Sequence, residues 1–161
     1  MIIRKGLKKD IDKILSVYDS SRAFMRATGN SSQWINGYPG EEDVAGDIEE
    51  GVCFVGEEDG EILMAFAFII GDDPTYKIIE NGNWLNDRRY GTIHRLGSKG
   101  KKPGMLAACV SYCLEEIGDI RVDTHEDNIP MRNGLEKLGF IKCGTIYCRD
   151  GSPRIAYQYS A

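Results

Sequence analysis

Excess basic charge and long hydrophobic segments are both missing from this chain. Its 161 residues include 20 Lys and Arg against 25 Asp and Glu, which gives a net charge of −5. A protein of this charge does not hold nucleic acid by an overall attraction to phosphate. The longest apolar run, residues 62–70, is about half as long as a membrane-spanning helix. We therefore expect neither nucleic acid nor a membrane among its partners.

Cysteine spacing and the first residues both favour a reducing compartment. The five cysteines are an odd number, and no two of them have the Cys-x-x-Cys spacing. The segment MIIRKGLKKD has no hydrophobic core of the kind that a secretory signal needs. We expect a cytoplasmic protein with free thiols. Cys109 and Cys113 lie four residues apart on an apolar helix face, which favours packing in the core.

Neither a repeat nor a linker divides the chain, so we predict a single domain over residues 1–161. Apolar periodicity and turn residues predict a mixed α/β domain in the order β-α-α-β-β-β-α-β-α-β-β. The predicted helices cover residues 8–27, 41–49 and 104–117, with a fourth beginning near Pro130. The predicted strands cover residues 1–5, 52–57, 61–70, 90–96, 120–123, 140–147 and 154–159.

A glycine- and lysine-rich loop, residues 97–104, follows a predicted strand and precedes a predicted helix. Helix N-termini offer unpaired N–H groups and the positive end of a dipole, and both attract phosphate. The loop is not a nucleotide P-loop, because Gly100-Lys101 is followed by lysine where that motif needs serine or threonine. The residues alone leave two interpretations of this loop open, which are a phosphate site and a solvated basic turn.

Few residues offer other chemistry, because the chain has only two histidines and neither a Gly-x-Ser-x-Gly nor a Gly-x-Gly-x-x-Gly motif. Asp123, His125 and Asp127 share one face if they continue a strand, which suits a metal site. The alternative is a strand end at which Asn128 caps the next helix. His94 lies mid-strand, where a packed, hydrogen-bonded histidine is more common than a catalyst.

Two ring-rich, polar stretches lie outside the predicted sheet. One covers residues 34–38 and the other residues 76–84. Loop packing against a helix would explain them, and so would the wall of a substrate cleft.

Six features occur together along the chain in a fixed order. They are a strand, the Gly/Lys loop, an amphipathic helix, a second strand, Asn128 and a Leu-Gly-Phe ending at 138–140. This combination resembles the GNAT superfamily of acetyl-CoA-dependent N-acetyltransferases over nearly the whole chain. Segments 33–39, 93–95 and 123–128 are similar to an uncharacterised bacterial branch. The resemblance implies a central mixed sheet of about seven strands flanked by about four helices.

The superfamily's pyrophosphate motif, Gln/Arg-x-x-Gly-x-Gly/Ala, falls on residues 101–106. Gly104 matches and Lys101 is a basic substitute, but Leu106 replaces the small last residue. A leucine there must point into the core, or it crowds the cofactor. The resemblance implies acetyl-CoA as co-substrate and no metal. The residues it assigns to the cofactor are Arg95, Leu96, Ser98, Lys101, Lys102, Gly104, Met105, Leu106 and Asn128.

The resemblance also implies direct attack by an amine on the thioester. A backbone N–H within residues 94–96 would stabilise the oxyanion. His94 and His125 are the candidate bases. The tyrosine that protonates the leaving thiolate in the family aligns with Leu135, so Tyr147 is the candidate substitute.

The acceptor is expected to be a small-molecule or peptide amine. The acidic total charge favours a cationic one, and relatives are often homodimers. The candidate wall of the acceptor site is formed by Trp34, Tyr38, Trp84 and Tyr90, of which Tyr90 lies where some relatives carry a carboxylate base. Two alternatives stay open. One is a degenerate acyl-CoA-binding or sensing module, which is suggested by Leu106 and Leu135. The other is a metal-dependent hydrolase, which would use Asp123, His125 and Asp127.

Overall fold

Seven strands form one mixed sheet, and four α-helices cover its faces. The structure is a computed structural model that describes all residues, 1–161. The element order, the strand number and the helix number predicted from the sequence are confirmed. The elements are β1 (Ile2–Lys5), α1 (Ile11–Ala27), α2 (Glu41–Glu49), β2 (Cys53–Glu58), β3 (Glu61–Ile70), β4 (Gly91–Ser98), α3 (Met105–Leu114), β5 (Asp119–Thr124), α4 (Ile129–Lys137), β6 (Ile141–Tyr147) and β7 (Pro153–Ser160). The strands follow one another across the sheet in the order β1-β2-β3-β4-β5-β7-β6.

The sheet opens in its middle, between β4 and β5. These two strands are the parallel pair of an otherwise antiparallel sheet, and they pair only where Gly91 faces Ile120 and Thr92 faces Arg121. Beyond these pairs the two strands separate toward their carboxyl ends. In open α/β sheets, a gap at the carboxyl ends of parallel strands is a usual position for a ligand.

The two faces of the sheet bury separate cores. On one face, Phe66, Ile93 and Val122 pack with α3 and α4. On the other face, Val55 and Ala65 pack with the apolar side of α1 and with Val44 of α2. Cys109 and Cys113 are fully buried in the first core, so the predicted packing role is confirmed.

Local sequence accounts for the element ends. Asp59 and Gly60, with φ of 52° and 79°, form the two-residue turn that joins β2 to β3. α3 ends at Leu114 instead of the predicted residue 117. Glu115 and Glu116 follow, and acidic side chains destabilise a helix when they lie at its C-terminal end, the negative end of the dipole. None of the helices combines the length and hydropathy that a membrane span needs.

Candidate active site

A cleft of about 570 Å³ fills the gap between β4 and β5. The loop after α1, the loop after β3 and the β6–β7 hairpin form its other walls. Seven of the residues that the sequence assigned to a site line it. They are Trp34, Tyr38, His94, Arg95, Leu96, Leu106 and Asn128.

A bulge in β4 shapes one side of the cleft. Ala67 pairs with His94 and Ala65 with Gly97, so Phe66 lies opposite both Arg95 and Leu96. Arg95 has φ of 51°, a left-handed conformation that is uncommon for a residue with a side chain. A bulge leaves its extra residue outside the hydrogen-bond ladder. The bulge falls at residues 95–96, within the segment where the family resemblance implies an oxyanion donor.

The Arg95 side chain holds this bulge in place. Its Nε and Nη2 donate to Asp47 of α2 at 2.9 and 2.8 Å, and its Nη1 donates to the Tyr38 hydroxyl at 3.1 Å. Burial lowers the pKa of Arg95, but the hydrogen bonds to Asp47 outweigh it and the pKa is raised. Because the guanidinium is occupied, any contact of Arg95 with a cofactor falls to its backbone.

His94 faces the cleft next to a carboxylate. Its Nε2 lies 2.8 Å from Oδ2 of Asp73, in the loop after β3. Oδ1 of Asp73 accepts from the Thr75 N–H at 2.8 Å and from the Thr75 hydroxyl at 2.7 Å. Burial raises the pKa of Asp73, yet the bonds from His94 and Thr75 outweigh it and lower that pKa from 3.8 to about 2. Asp73 is therefore an ionised acceptor, so Nε2 of His94 donates to it, and Nδ1 has no protein partner.

No protein-family model and no curated protein sequence matches the chain. Among solved structures, a GNAT-family acetyltransferase from Streptococcus agalactiae is 35% identical, with 99% of this chain and 95% of that chain covered and a TM-score of 0.90. The chain belongs to the GNAT family of acetyltransferases. Its assignment as an acyltransferase from the sequence is confirmed.

More distant members share the GNAT fold. A GNAT-family acetyltransferase from Listeria monocytogenes is 17% identical over 99% of this chain and 94% of that chain, with a TM-score of 0.73. The ribosomal-protein-S18-alanine N-acetyltransferase from Escherichia coli is 13% identical over 99% and 92%, with a TM-score of 0.64.

The second histidine of this GNAT chain lies outside the cleft. His125 follows the end of β5, with its Nε2 at 3.3 Å from the Ser32 hydroxyl and its Nδ1 accepting the Asp127 N–H at 3.0 Å. Asp123 instead accepts the Tyr76 hydroxyl at 2.6 Å. No three His, Cys, Asp or Glu side chains come together as metal ligands, so the predicted hydrolase triad does not form.

Two of the four proposed wall aromatics lie beneath the cleft instead of lining it. Tyr90 and Trp84 pack on either side of the Arg121 guanidinium, with ring centres at 3.9 and 4.2 Å from its central carbon. The Trp84 indole N–H donates to the Tyr76 carbonyl at 2.9 Å. The Tyr90 hydroxyl accepts the Asp73 N–H at 2.8 Å and so supports the loop that carries the His94 partner.

Tyr147 does not reach the cleft either. It is 38% exposed on β6, whereas its neighbours Ile146 and Cys148 line the cleft. Successive side chains of a strand face opposite ways, which explains the difference. Leu135, at the family's tyrosine position, is on the inner face of α4 and is fully buried in the core. The protein therefore places no tyrosine at the expected acid position.

Leu106, which departs from the GNAT motif, packs between α3 and α4. It lines the cleft, and a Cβ added to Gly134 would lie 2.7 Å from its Cδ2. Gly134 thus leaves room for the leucine side chain, which the sequence had predicted must turn inward or crowd a cofactor. Met105 is partly buried and packs against the core on the same face.

The Gly/Lys loop enters α3 through Gly104, which has φ of 85° and provides no side-chain cap. The Ser98 N–H donates to the Ser21 hydroxyl at 2.7 Å, and Ser98 Oγ accepts the Gly100 N–H at 3.0 Å. Lys101 pairs with Glu61 and Lys102 with Glu58, across the β2–β3 hairpin. Neither lysine lines the cleft in this arrangement.

Asn128 caps α4 and connects it to the loop after α1. Its Oδ1 accepts the Met131 N–H at 3.3 Å, and its Nδ2 donates to Gln33 Oε1 at 3.0 Å. Gln33 Oε1 also accepts from Asn30 Nδ2 at 2.9 Å. Gln33 therefore fixes the loop that carries Trp34 and Tyr38 over the cleft.

Proposed function

We propose that this protein transfers the acetyl group of acetyl-CoA to an amine by direct attack on the thioester. The observation that carries this proposal is the β4 bulge at Arg95, immediately beside His94 with its partner Asp73. An oxyanion donor and a proton acceptor thus adjoin on one strand, facing one cleft. Acyl transfer from a thioester to an amine needs these two functions.

Two features of the protein support the binding of acetyl-CoA. The separated strands β4 and β5 leave room for a thioester arm. The ten-residue helix α3 has no side-chain cap, so its first N–H groups are available to phosphate oxygens. Lys101 and Lys102 supply positive charge near this end of the helix once they leave their glutamate partners.

The acceptor reaches the cleft as an ammonium ion, because a primary amine has a pKa near 10. Nδ1 of His94 takes one proton, while Asp73 on Nε2 holds the ring in place and stabilises the imidazolium. The amine lone pair then forms the C–N bond, and the thioester carbonyl electrons move to oxygen.

The resulting oxyanion accepts a hydrogen bond from the backbone N–H of the bulge. When the carbonyl re-forms, the C–S bond breaks and the thiolate leaves. The tetrahedral nitrogen loses its second proton to water in the cleft. Because Leu135 has no proton to give and Tyr147 faces away, we assign protonation of the thiolate to water as well.

A screen of amines against acetyl-CoA, read by release of free thiol, tests the proposed function. At least one amine should release thiol at a rate proportional to enzyme concentration. Binding of acetyl-CoA without release for any amine would favour the sensing module instead.

The two loop lysines and their glutamate partners should have opposite effects on the affinity for coenzyme A. Replacing both Lys101 and Lys102 with alanine should weaken coenzyme A binding, and the loss should shrink at high salt because exposed charges are screened. Replacing their partners, as Glu58→Gln and Glu61→Gln, should strengthen binding because the lysines become free for phosphate. Calorimetric titration at low and high salt measures both. Unchanged affinity in the lysine variant at low salt would place the phosphate site elsewhere.

Leu106 and Gly134 provide a second prediction. In Gly134→Ala the new methyl group forces Leu106 toward the cleft, so acetyl-CoA should bind more weakly. Stability should change little, because alanine gains about 1 kcal/mol over glycine in a helix and offsets part of the crowding. The double variant Leu106→Ala with Gly134→Ala should recover binding. If Gly134→Ala alone binds as well as the wild type, Leu106 does not border the cofactor.

A further inference from the structure

We propose that the amine acceptor also carries a carboxylate, which Arg149 and Arg154 bind at the outer end of the cleft. We call these two residues, at the β6–β7 hairpin, the arginine rim. Both line the cleft that holds His94. The inference rests on the proposed function, because it specifies which amine that site accepts.

The arginine rim has no carboxylate partner within the protein. Neither Arg149 nor Arg154 forms an ion pair, whereas Arg95, the third arginine of the cleft, is paired with Asp47. Asp150 lies between the two in sequence but does not neutralise them. Oδ1 of Asp150 instead accepts two hydrogen bonds from Ser152, one from its N–H at 2.9 Å and one from its hydroxyl at 2.6 Å.

Arg154 is half-buried and held in place. Its Nη1 donates to the Pro153 carbonyl at 2.8 Å and to the Ser152 hydroxyl at 3.2 Å, while Nε and Nη2 have no protein partner. A fixed guanidinium with one free edge is suited to bind a carboxylate through two hydrogen bonds.

The floor of the cleft has the opposite character. Asp73 and Asp123 line it. An acidic floor beside His94 and a basic rim together suit a ligand with an ammonium group and a carboxylate.

The phosphates of coenzyme A are the other source of an anion, but Arg154 lies on the wrong face of the sheet for them. Arg154 and Ala156 point to the same side of β7, because alternate residues share a face. Ala156 packs with Tyr76 and Tyr90, whereas Tyr157 belongs to the core beneath α3 and α4. Arg154 therefore faces away from the side of the sheet that carries α3.

The test compares carboxylates with their amides. A panel of α- and ω-amino acids and the matching carboxamides is assayed by thiol release from acetyl-CoA. We expect the acids to exceed the amides by at least about tenfold in kcat/KM, the size of one charged hydrogen-bonded contact. Arg154→Met should remove this preference and leave the KM for acetyl-CoA unchanged. Arg89→Met, an exposed and unpaired arginine outside the cleft, is the matched control and should keep the preference.

A binding measurement separates this proposal from the proposed function. The same panel is titrated by calorimetry into protein saturated with coenzyme A, which has no acetyl group to transfer. Acids that bind through Arg154, with no turnover of any amine, would support the rim and contradict the acetyltransferase. Equal binding or turnover of acids and amides, no binding of either, or a raised KM for acetyl-CoA in Arg154→Met would each overturn the rim.

Discussion

Replacing His94 with glutamine is expected to reduce turnover of an accepted amine by 10²–10⁴-fold, the usual loss when a general base is removed. The affinity for acetyl-CoA should stay unchanged, because the proposed mechanism gives His94 a role toward the amine and none in binding the cofactor. The loss should appear in kcat, measured by thiol release at saturating substrates. Asp73→Asn should produce a smaller loss, because it removes the group that orients the ring and leaves the ring in place.

His125→Gln is the matched control. His125 contacts Asp127 in its own loop and Ser32 in the loop after α1, but it does not line the cleft, so this variant should retain near-normal turnover. Thermal unfolding of each variant shows whether a loss of rate reflects a loss of fold. If the His94 variant folds and turns over at the wild-type rate, then the base is another group, and an ordered water chain or the carboxylate of Asp73 becomes the candidate.

Acetyl-CoA should raise the stability of the protein by about 2.7 kcal/mol at a hundred times its dissociation constant, provided that it binds only the folded state. For a domain of this size that free energy corresponds to a rise in melting temperature of about 5–10 °C. The reason is that the α3 N-terminus and the separated strands exist only in the folded protein.

Acetate and adenosine at the same concentration are the controls, and neither should produce this shift. A melting curve that stays unchanged at millimolar acetyl-CoA, with intact protein, would contradict the cofactor assignment. A shift of equal size with adenosine alone would place the binding energy outside the phosphate and thioester contacts.

Periodicity and turn chemistry predicted the fold closely because this chain is locally consistent. Seven of the ten residues of β3, from Ile62 to Phe68, are buried, and a continuous apolar run is typical of a strand covered on both faces. Asp59 and Gly60 form the expected turn, and Asn128 caps the expected helix. Each of these signals lies within a few residues of the element that it determines.

The partner of His94 was not predicted, because it lies 21 residues away in a loop. Asp73-Pro74 indicates only the start of a short turn, and nothing local says that its carboxylate faces a strand. The same limit applies to Trp84 and Tyr90. Their burial follows from Arg121, a charged residue of β5 that packs between the two rings. Ring-rich polar loops look alike in sequence whether they wall a cleft or pack beneath it.

Tyr147 and Leu106 show two further limits. Ile146 is apolar and already indicates which face of β6 is buried. Strand alternation then places the Tyr147 side chain on the opposite face, so the sequence alone is enough to exclude Tyr147 from the cleft. Leu106 is different, because its accommodation depends on the missing side chain of Gly134 on another helix. A contact of that kind appears only once the helices are packed together.

The most direct test of acetyl transfer is its stoichiometry. Wild-type enzyme, acetyl-CoA and an accepted amine are incubated, and free coenzyme A and N-acetylated product are both quantified by mass spectrometry. Transfer by direct attack predicts equal amounts of the two, no thiol release without the amine, and no acetylated enzyme when the amine is left out. Coenzyme A released without amine, or in excess of acetylated amine, would show hydrolysis and contradict the account.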